Sequence, residues 1–212
     1  MCARSGVELT PEELEQYFGE VRITPRIGAW RPRDDFWPGQ DILVVRDLPG
    51  QGRVAESARW GLAPAWWAAV DGPGGDKKPY PTYLARVETA ATTPTWRDAW
   101  AQRPGAGRCL VLFSHWHEWT GSKGNKRLVR LSVPGHRLVA SAGLWADFHG
   151  QLTAALITCP PAEDIAWVHD RMPAILHPSA WDAWLSGQAG QDLVGPPPPG
   201  IVRAVEVAAD EP

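Results

Sequence analysis

Short strand-like segments separated by glycine- and proline-rich turns run along most of this 212-residue chain. It contains 21 glycines and 21 prolines, the two residue types that most often end regular structure. Runs of β-branched and aromatic residues between them predict strands, because such side chains fit a pleated surface. The predicted strands cover residues 41–46, 53–60, 108–119, 127–132, 137–144, 152–158 and 201–207.

Few segments of the chain have the spacing of a helix. Thr10 can cap a helix that continues to Phe18, since Pro11 suits the first helical position and two glutamates follow it. Two further short helices are predicted over 93–100 and 179–185, and loops are predicted at 28–39 and 68–81.

Many strands with few short helices indicate the α+β class, as one β-rich domain. A chain of this length fits one domain, or one domain with a tail. We expect the domain to cover residues 1–190. The proline-rich segment of residues 191–212 is expected to pack on that domain or trail from it.

The overall charge and the cysteines exclude several classes of protein. A formal net charge of −3 argues against a generically basic nucleic-acid binder, so any phosphate binding requires a local group of arginines. The three cysteines, Cys2, Cys109 and Cys159, lack the spacing of a zinc site or a disulfide framework. No apolar run reaches the ~20 residues of a membrane span, and no secretory signal is seen. These features predict a cytoplasmic protein without a membrane segment.

Cys2 is the residue with the most distinctive chemistry. Removal of Met1 would leave a free α-amine and a thiol on one residue, with ordinary pKa values of about 7.7–8.0 and about 8.5. An amine and a thiol so placed suit an aldehyde, because the amine forms a Schiff base and the thiol closes a thiazolidine ring on the same carbon. The alternative is that Cys2 is only an early residue of a disordered terminus.

Five motifs in order resemble the SRAP family, the SOS response-associated peptidases now understood as abasic-site processing proteins. Each motif is weak alone, but five in order with a cysteine at position 2 are specific. They are Met1-Cys2-Ala3-Arg4, Arg59-Trp60-Gly61-Leu62-Ala63-Pro64-Ala65-Trp66-Trp67, Ala85-Arg86-Val87-Glu88-Thr89, Trp116-His117-Glu118-Trp119 and Val168-His169-Asp170-Arg171-Met172-Pro173. The resemblance spans roughly residues 2 to 185.

The resemblance implies a mixed, barrel-like sheet with a few short flanking helices, and a catalytic group of three residues. Cys2 would capture the ring-opened aldehyde of an abasic site in single-stranded DNA as a thiazolidine crosslink. Glu118 would act as an acid/base, and His169 would take and return protons. No metal or organic cofactor is implied. We expect a monomer, and the peptidase name is interpreted as self-removal of Met1 at most.

The resemblance also implies residues that hold the DNA. Arg4 and Arg86 would contact phosphates, and Arg171 could join them, although each could instead be solvated or pair with Glu88 or Asp170. Trp66 and Trp67 would stack on bases, with one of the two expected in the core.

Local alternatives exist for Glu118 and His169. If residues 108–119 form a strand, Glu118 shares a face with Trp116, whereas His115 and His117 share the other face. Glu118 could be an exposed strand glutamate, and His169 a structural histidine. The two histidines of the other face could bind metal, but no third ligand has convincing spacing.

Departures from the family pattern leave the substrate open. Leu84 replaces an asparagine that positions the aldehyde, and Asp34-Asp35 replaces Tyr-Asn. Ala3 replaces a glycine, and Ser114-His115 replaces Asp-Gly. A leucine makes no hydrogen bond, and Asp35 adds negative charge near a phosphate position. The alternatives are therefore an enzyme using Cys2 on a small carbonyl, ester or amide, or an inert DNA-binding or adaptor protein.

Overall fold

The computed structural model describes residues 4–18, 21–24, 27, 30–67, 82–188 and 190–208. Thirteen strands and four short α-helices lie within these residues. The strands are β1 (Ser5–Val7), β2 (Arg22–Ile23), β3 (Arg33–Phe36), β4 (Asp41–Leu48), β5 (Gly52–Trp60), β6 (Leu84–Arg86), β7 (Ala106–Phe113), β8 (His115–Thr120), β9 (Arg127–Ser132), β10 (Val139–Phe148), β11 (Gln151–Cys159), β12 (Met172–Pro173) and β13 (Arg203–Val207). The helices are α1 (Pro11–Phe18), α2 (Val87–Ala90), α3 (Arg97–Trp100) and α4 (Trp181–Leu185).

Five strands of the larger sheet close into a small barrel. The ring runs β11–β10–β7–β4–β5 and returns to β11 through a parallel pairing of Thr153 with Arg59 and of Ala154 with Trp60. The other four pairings of the ring are antiparallel, and β6 adds a second parallel pairing to β11. Inward-facing aliphatic side chains fill the barrel, so it is a packed core. The predicted α+β class with a mixed, barrel-like sheet is confirmed.

The smaller sheet has the strand order β13–β9–β8–β1–β3, with the N-terminal strand between β8 and the edge strand β3. The prediction of one continuous strand over residues 108–119 is wrong, because the chain leaves the barrel at Ser114 and enters this second sheet as β8. The Ser114 amide donates to the Gly6 carbonyl (2.7 Å), and its hydroxyl donates to the Arg137 carbonyl (2.5 Å). The Glu8 amide donates to the same hydroxyl (2.9 Å). These long-range bonds fix the change of sheet.

The prediction of a loop over residues 28–39 is also wrong in part, because residues 33–36 form the edge strand β3. It pairs with β1 through Ser5 and Phe36 and through Val7 and Arg33. Only Phe36 of this strand is buried, where its ring lies 5.1 Å from that of Trp30. Short, charged strands are common at sheet edges, since they resist pairing with another chain. The other predicted loop, residues 68–81, lies outside the described residues.

The predicted start of α1 is confirmed. The Thr10 amide donates to the Glu13 carboxylate (2.9 Å) and the Glu13 amide to the Thr10 hydroxyl (3.4 Å), which is a capping box. The bond from the Thr10 amide, with Arg137 beside the carboxylate, lowers the pKa of Glu13.

The C-terminal segment reaches across the domain and returns to the smaller sheet, where β13 pairs antiparallel with β9. Between this segment and α1 lies a cavity of about 710 Å³ lined by Tyr17, Leu176, Trp181 and residues 196–198 among others. None of the residues of the candidate site described below lines it. No helix among the described residues combines the length and the apolar character needed to cross a bilayer.

Candidate functional site

The N-terminal strand lies directly against β8, the strand that carries Glu118. Ser5 faces Trp116, Gly6 faces His115, and the His117 amide donates to the Arg4 carbonyl (2.8 Å). The first described residue of the chain therefore lies beside the residue that precedes Glu118. Because β3 covers the other edge of β1, the start of the chain is held within the sheet from residue 4 onward.

Glu118 is buried, with 2% of its surface exposed. The predicted alternation along this segment is confirmed, because the His115 and His117 rings lie 5.1 Å apart on one face while Trp116 packs on Phe113 (5.7 Å) on the other. Glu118 therefore shares the face of a fully buried tryptophan. The alternative of an exposed strand glutamate is wrong. A buried carboxyl group next to an aromatic wall can deliver or accept a proton in a site with little water.

His169 lies in a segment that docks on the end of β8. The Thr120 hydroxyl donates to the Trp167 carbonyl (3.0 Å), and Thr120 is on the same face of β8 as Glu118. The Arg171 amide donates to Nδ1 of His169 (3.0 Å), and a carboxylate oxygen of Asp170 lies 2.8 Å from the same nitrogen. The first contact requires a bare Nδ1 and the second a protonated one. A backbone amide and a carboxylate thus both lie within hydrogen-bond distance of Nδ1 of His169.

Arg171 forms an ion pair that fixes the segment carrying His169. Its guanidinium donates to both carboxylate oxygens of Glu88 (2.6 and 2.9 Å) and to the Thr158 carbonyl (2.6 Å). The sequence left several alternatives to a phosphate contact for Arg171, and the pair with Glu88 is one of them. Arg171 lowers the pKa of Glu88, and the charge of Arg86 adds to the effect. Arg171 therefore ties α2 and β11 to the histidine.

Arg86 is the exposed arginine of this region. It ends β6, where it pairs with Thr158 of β11. Within the part of the chain that the structure describes, its guanidinium makes no hydrogen bond or ion pair. It is close enough to Glu88 to lower the pKa of that carboxyl. Such an arginine is available to an anionic ligand.

Arg4 is engaged by Asp35 of the edge strand. Its Nε and Nη2 donate to the two carboxylate oxygens of Asp35 at 2.5 and 2.8 Å, and its Cζ lies 5.7 Å from the ring centroid of Trp37. The side chains are 12% and 28% exposed. The two arginines predicted to hold phosphates therefore differ, one being exposed and the other paired with a carboxylate.

Trp66 and Trp67 lie at the surface of the molecule. Their rings meet edge to face with centroids 6.0 Å apart, and Trp66 is 38% exposed. The prediction that one of the two is a core residue is wrong, since Trp67 is only partly buried. The segment before them is tied to the barrel, with the Gly61 amide donating to Ala154 (2.8 Å) and the Ala63 amide to the Thr153 hydroxyl (3.1 Å).

Three other exposed tryptophans lie close to predicted site residues, in space or along the chain, and the sequence analysis gave them no role. Trp37 lies beside Arg4, Trp119 follows Glu118, and the Trp167 carbonyl accepts from Thr120. They are 46%, 43% and 50% exposed, an unusual state for so large an apolar side chain. For Trp119 and Trp167 the available signal was their position next to Glu118 and two residues before His169; Trp37 approaches Arg4 only in the fold.

Cys109 and Cys159 are buried and make poor nucleophiles. Burial raises the pKa of both thiols, that of Cys159 to about 12. Neither carries a useful fraction of thiolate near neutral pH. Cys2 and Ala3 lie outside the described residues.

Within the described ranges, no group of three or more His, Cys, Asp or Glu side chains is arranged to hold a metal ion. Both ring nitrogens of His115 have partners, since one contacts the Asp34 carbonyl (3.1 Å) and the other receives a hydrogen bond from Arg130 (3.0 Å). His115 is therefore part of a polar network under β1.

The other histidine of this face, His117, makes the stability of the fold depend on pH. Burial, with the charges of His115 and Arg4, lowers the pKa of His117 to about 4, although Asp35 opposes the shift and Arg130 adds to it. The unfolded chain, with an ordinary histidine pKa of about 6.5, binds a proton between these values that the folded chain does not. The contribution of His117 to the free energy of unfolding is therefore fully present above about pH 6.5 and is lost as the pH decreases toward 4.

We predict that the His117→Phe variant loses less stability on acidification than the parent protein. Between pH 7.5 and pH 5.0 the parent should lose up to about 2 kcal/mol more unfolding free energy than the variant. Urea denaturation of both proteins at both pH values measures this difference. Parallel losses in the two proteins would show that His117 is not buried in its neutral form.

Fold and site together define a small closed barrel with a second sheet that holds the N-terminal strand against a buried glutamate. The SOS response associated peptidase (SRAP) family matches this chain over residues 1–209, and the chain belongs to that family. Abasic site processing protein YobE of Bacillus subtilis is 29% identical over 192 residues, covering 88% of this chain and 82% of the relative. Abasic site processing protein YedK of Escherichia coli is 29% identical over 191 residues, covering 87% and 79%.

Solved structures show the same fold. A protein from Bacteroides thetaiotaomicron superimposes with a TM-score of 0.80 at 16% identity, covering 99% of this chain and 93% of the other. A protein from Bordetella bronchiseptica gives 0.74 at 22% identity, covering 98% and 100%.

Proposed function

We propose that this protein processes abasic sites in single-stranded DNA by capturing the lesion aldehyde on Cys2. The observation that carries the proposal is the pairing of β1 with β8. This pairing holds Arg4 beside His117 and next to buried Glu118, with the docked segment of His169 on the face of Glu118. The relatives that align over most of the chain are named abasic site processing proteins, which supports the same substrate here.

The covalent chain limits how far Cys2 can be from Arg4. Two peptide units separate Cys2 from Arg4, a span of at most about 7 Å between their Cα atoms. The other two cysteines are buried, with thiol pKa values raised by burial, so they do not compete for an aldehyde. Removal of Met1, by the protein itself or by another enzyme, is required to expose the amine.

The proposed reaction has two bond-forming steps. The α-amine of Cys2 adds to C1′ of the ring-opened deoxyribose, and the resulting carbinolamine loses one water to give a protonated Schiff base. The thiolate then adds to the same carbon, the C=N electron pair moves to nitrogen, and a five-membered thiazolidine forms. The net change is one C–N and one C–S bond formed and one water released, without an oxidant or reductant.

Glu118 and His169 carry the protons of these steps. Ring opening requires a proton on the sugar ring oxygen, and a buried carboxylic acid next to the nucleophile can supply it. Loss of water from the carbinolamine and deprotonation of the thiol require a second group that takes and returns a proton. His169, with a backbone amide and a carboxylate within hydrogen-bond distance of Nδ1, suits that role.

The DNA strand is held by a cation and aromatic rings. Arg86 is exposed and can bind a phosphate, while Trp66 offers a stacking face that accepts any base. Trp67 lies against it, and the exposed Trp167 belongs to the segment of His169 that docks on the face of Glu118. Arg171 is proposed to support His169 through its pair with Glu88, which leaves Arg86 as the cation that faces the DNA.

The test is a denaturing gel. Protein incubated with a labelled single-stranded oligonucleotide carrying one abasic site should give a slower band that survives denaturation, and the Cys2→Ala variant should give none. An oligonucleotide with an intact base, and an abasic one capped with methoxyamine, are the matched controls. Covalent bands of equal strength with Cys2→Ala would contradict the proposal.

A second candidate is an enzyme that uses Cys2 on a small carbonyl compound, and the Arg4–Asp35 pair favours it. That pair neutralises an arginine expected to hold DNA, and the protein as a whole is acidic. A small substrate requires no phosphate contact, so its capture should not change with salt. Capture of abasic DNA should weaken steeply as salt rises.

A further inference from the structure

We propose that Asp35 is a specificity-determining residue that occupies the phosphate position at Arg4, so that intact DNA is held weakly and lesion-bearing DNA is retained by the covalent bond. This inference rests on the proposed function. A guanidinium recognises a phosphate through two parallel N–H···O bonds, and a carboxylate satisfies the same geometry. In this structure Asp35 takes both bonds, at 2.5 and 2.8 Å.

The surroundings of the pair strengthen it against competition. The Arg4 side chain is 12% exposed and that of Asp35 is 28% exposed, so water screens their attraction less than at an open surface. Trp37 lies against the guanidinium, with 5.7 Å between Cζ and the ring centroid. A phosphate that approaches Arg4 must displace a carboxylate already in place. It also meets the negative charge of that carboxylate once displaced.

The consequence concerns selectivity between damaged and intact strands. Arg4 directly precedes β1 and is two residues from Cys2 in the sequence, so a phosphate bound to Arg4 would be close along the chain to the proposed nucleophile. While Asp35 occupies Arg4, a DNA strand without an aldehyde lacks one phosphate contact and dissociates readily from the protein. A strand with an aldehyde is retained through C–N and C–S bonds, which do not depend on Arg4. Asp35 thus lowers the affinity for DNA that carries no lesion.

The experiment measures affinity for intact DNA. A labelled single-stranded oligonucleotide of mixed sequence without an abasic site is titrated with wild-type protein, with Asp35→Asn and with Asp34→Asn at several salt concentrations. Asp34→Asn is the matched control, because it removes the same charge at the preceding residue. The Asp34 side chain makes no ion pair within the described part of the chain. We expect Asp35→Asn to bind about tenfold more tightly at 50 mM salt. The slope of log K against log salt should steepen by about 0.7, one phosphate on a single strand.

Asp34→Asn should stay within about twofold of wild type. If the asparagine variant does not fold, as judged by its thermal unfolding, Asp35→Ser removes the same carboxylate and gives the same readout. Equal gains for Asp34→Asn and Asp35→Asn, or a change below about twofold for Asp35→Asn, would overturn the inference.

Intact DNA has no aldehyde, so this affinity does not depend on the chemistry of Cys2. The covalent band with abasic DNA tests that chemistry separately. Failure of the proposed capture reaction and failure of the Asp35 inference are therefore distinguishable.

Discussion

The Glu118→Gln variant is expected to form the covalent adduct with abasic DNA about 100-fold more slowly than the wild-type protein. Glutamine keeps the shape of the side chain but cannot deliver or accept the proton, and Glu118 is 2% exposed, so water cannot readily replace it. The measurement is a single-turnover time course with protein in excess over a labelled abasic oligonucleotide, quenched in denaturant and resolved on a gel.

The matched control is Glu15→Gln, the same change at an exposed position of α1. It should react at the wild-type rate. Thermal unfolding of both variants separates a loss of chemistry from a loss of fold. If folded Glu118→Gln reacts as fast as wild type, Glu118 has only a structural role.

The Gly6→Ala variant is expected to lose about 3 kcal/mol of stability and most of its covalent capture. A Cβ on residue 6 would lie 2.5 Å from the Asp34 carbonyl oxygen and against the His115 ring. The carbonyl belongs to the backbone of β3 and cannot move alone, so β1 must shift away from its neighbours. Because β1 directly follows Arg4, that shift would displace the start of the chain from its place beside β8.

Chemical denaturation with urea gives the stability, and the denaturing gel gives the capture. Gly195→Ala is the comparison, since an added Cβ there meets no atom within 4 Å and should change stability by less than about 0.5 kcal/mol. A Gly6→Ala protein as stable and as active as the parent would show that β1 is not confined as the structure has it.

Periodic features of this fold were accessible from the sequence. The two faces of β8 followed from the period of a strand, because Trp116 and Glu118 alternate with two histidines whatever the partners are. The capped start of α1 followed from Thr10, Pro11 and the two glutamates after them, and the structure adds the bonds between Thr10 and Glu13. Such local patterns require no knowledge of the tertiary structure.

The features that sequence reasoning missed depend on residues far apart in the chain. The break at Ser114 is set by bonds to Gly6, Glu8 and Arg137, and the edge strand β3 exists because β1 lies beside it. Arg4 and Asp35 are 31 positions apart. A polar, charged segment such as residues 33–36 resembles a loop until its partner strand is known.

The pair between Arg171 and Glu88 spans 83 positions. It could be stated only as one of several alternatives, because a guanidinium suits a carboxylate and a phosphate equally well.

The most direct test of aldehyde capture by the N-terminal residue is the intact mass of the purified protein, before and after incubation with abasic single-stranded DNA. We predict a starting mass lower by one methionine residue than the full sequence requires. Incubation should yield a species equal to protein plus oligonucleotide minus one water. A protein that keeps Met1 and gains no mass, or that gains the same mass when Cys2 is replaced by alanine, would contradict capture at Cys2.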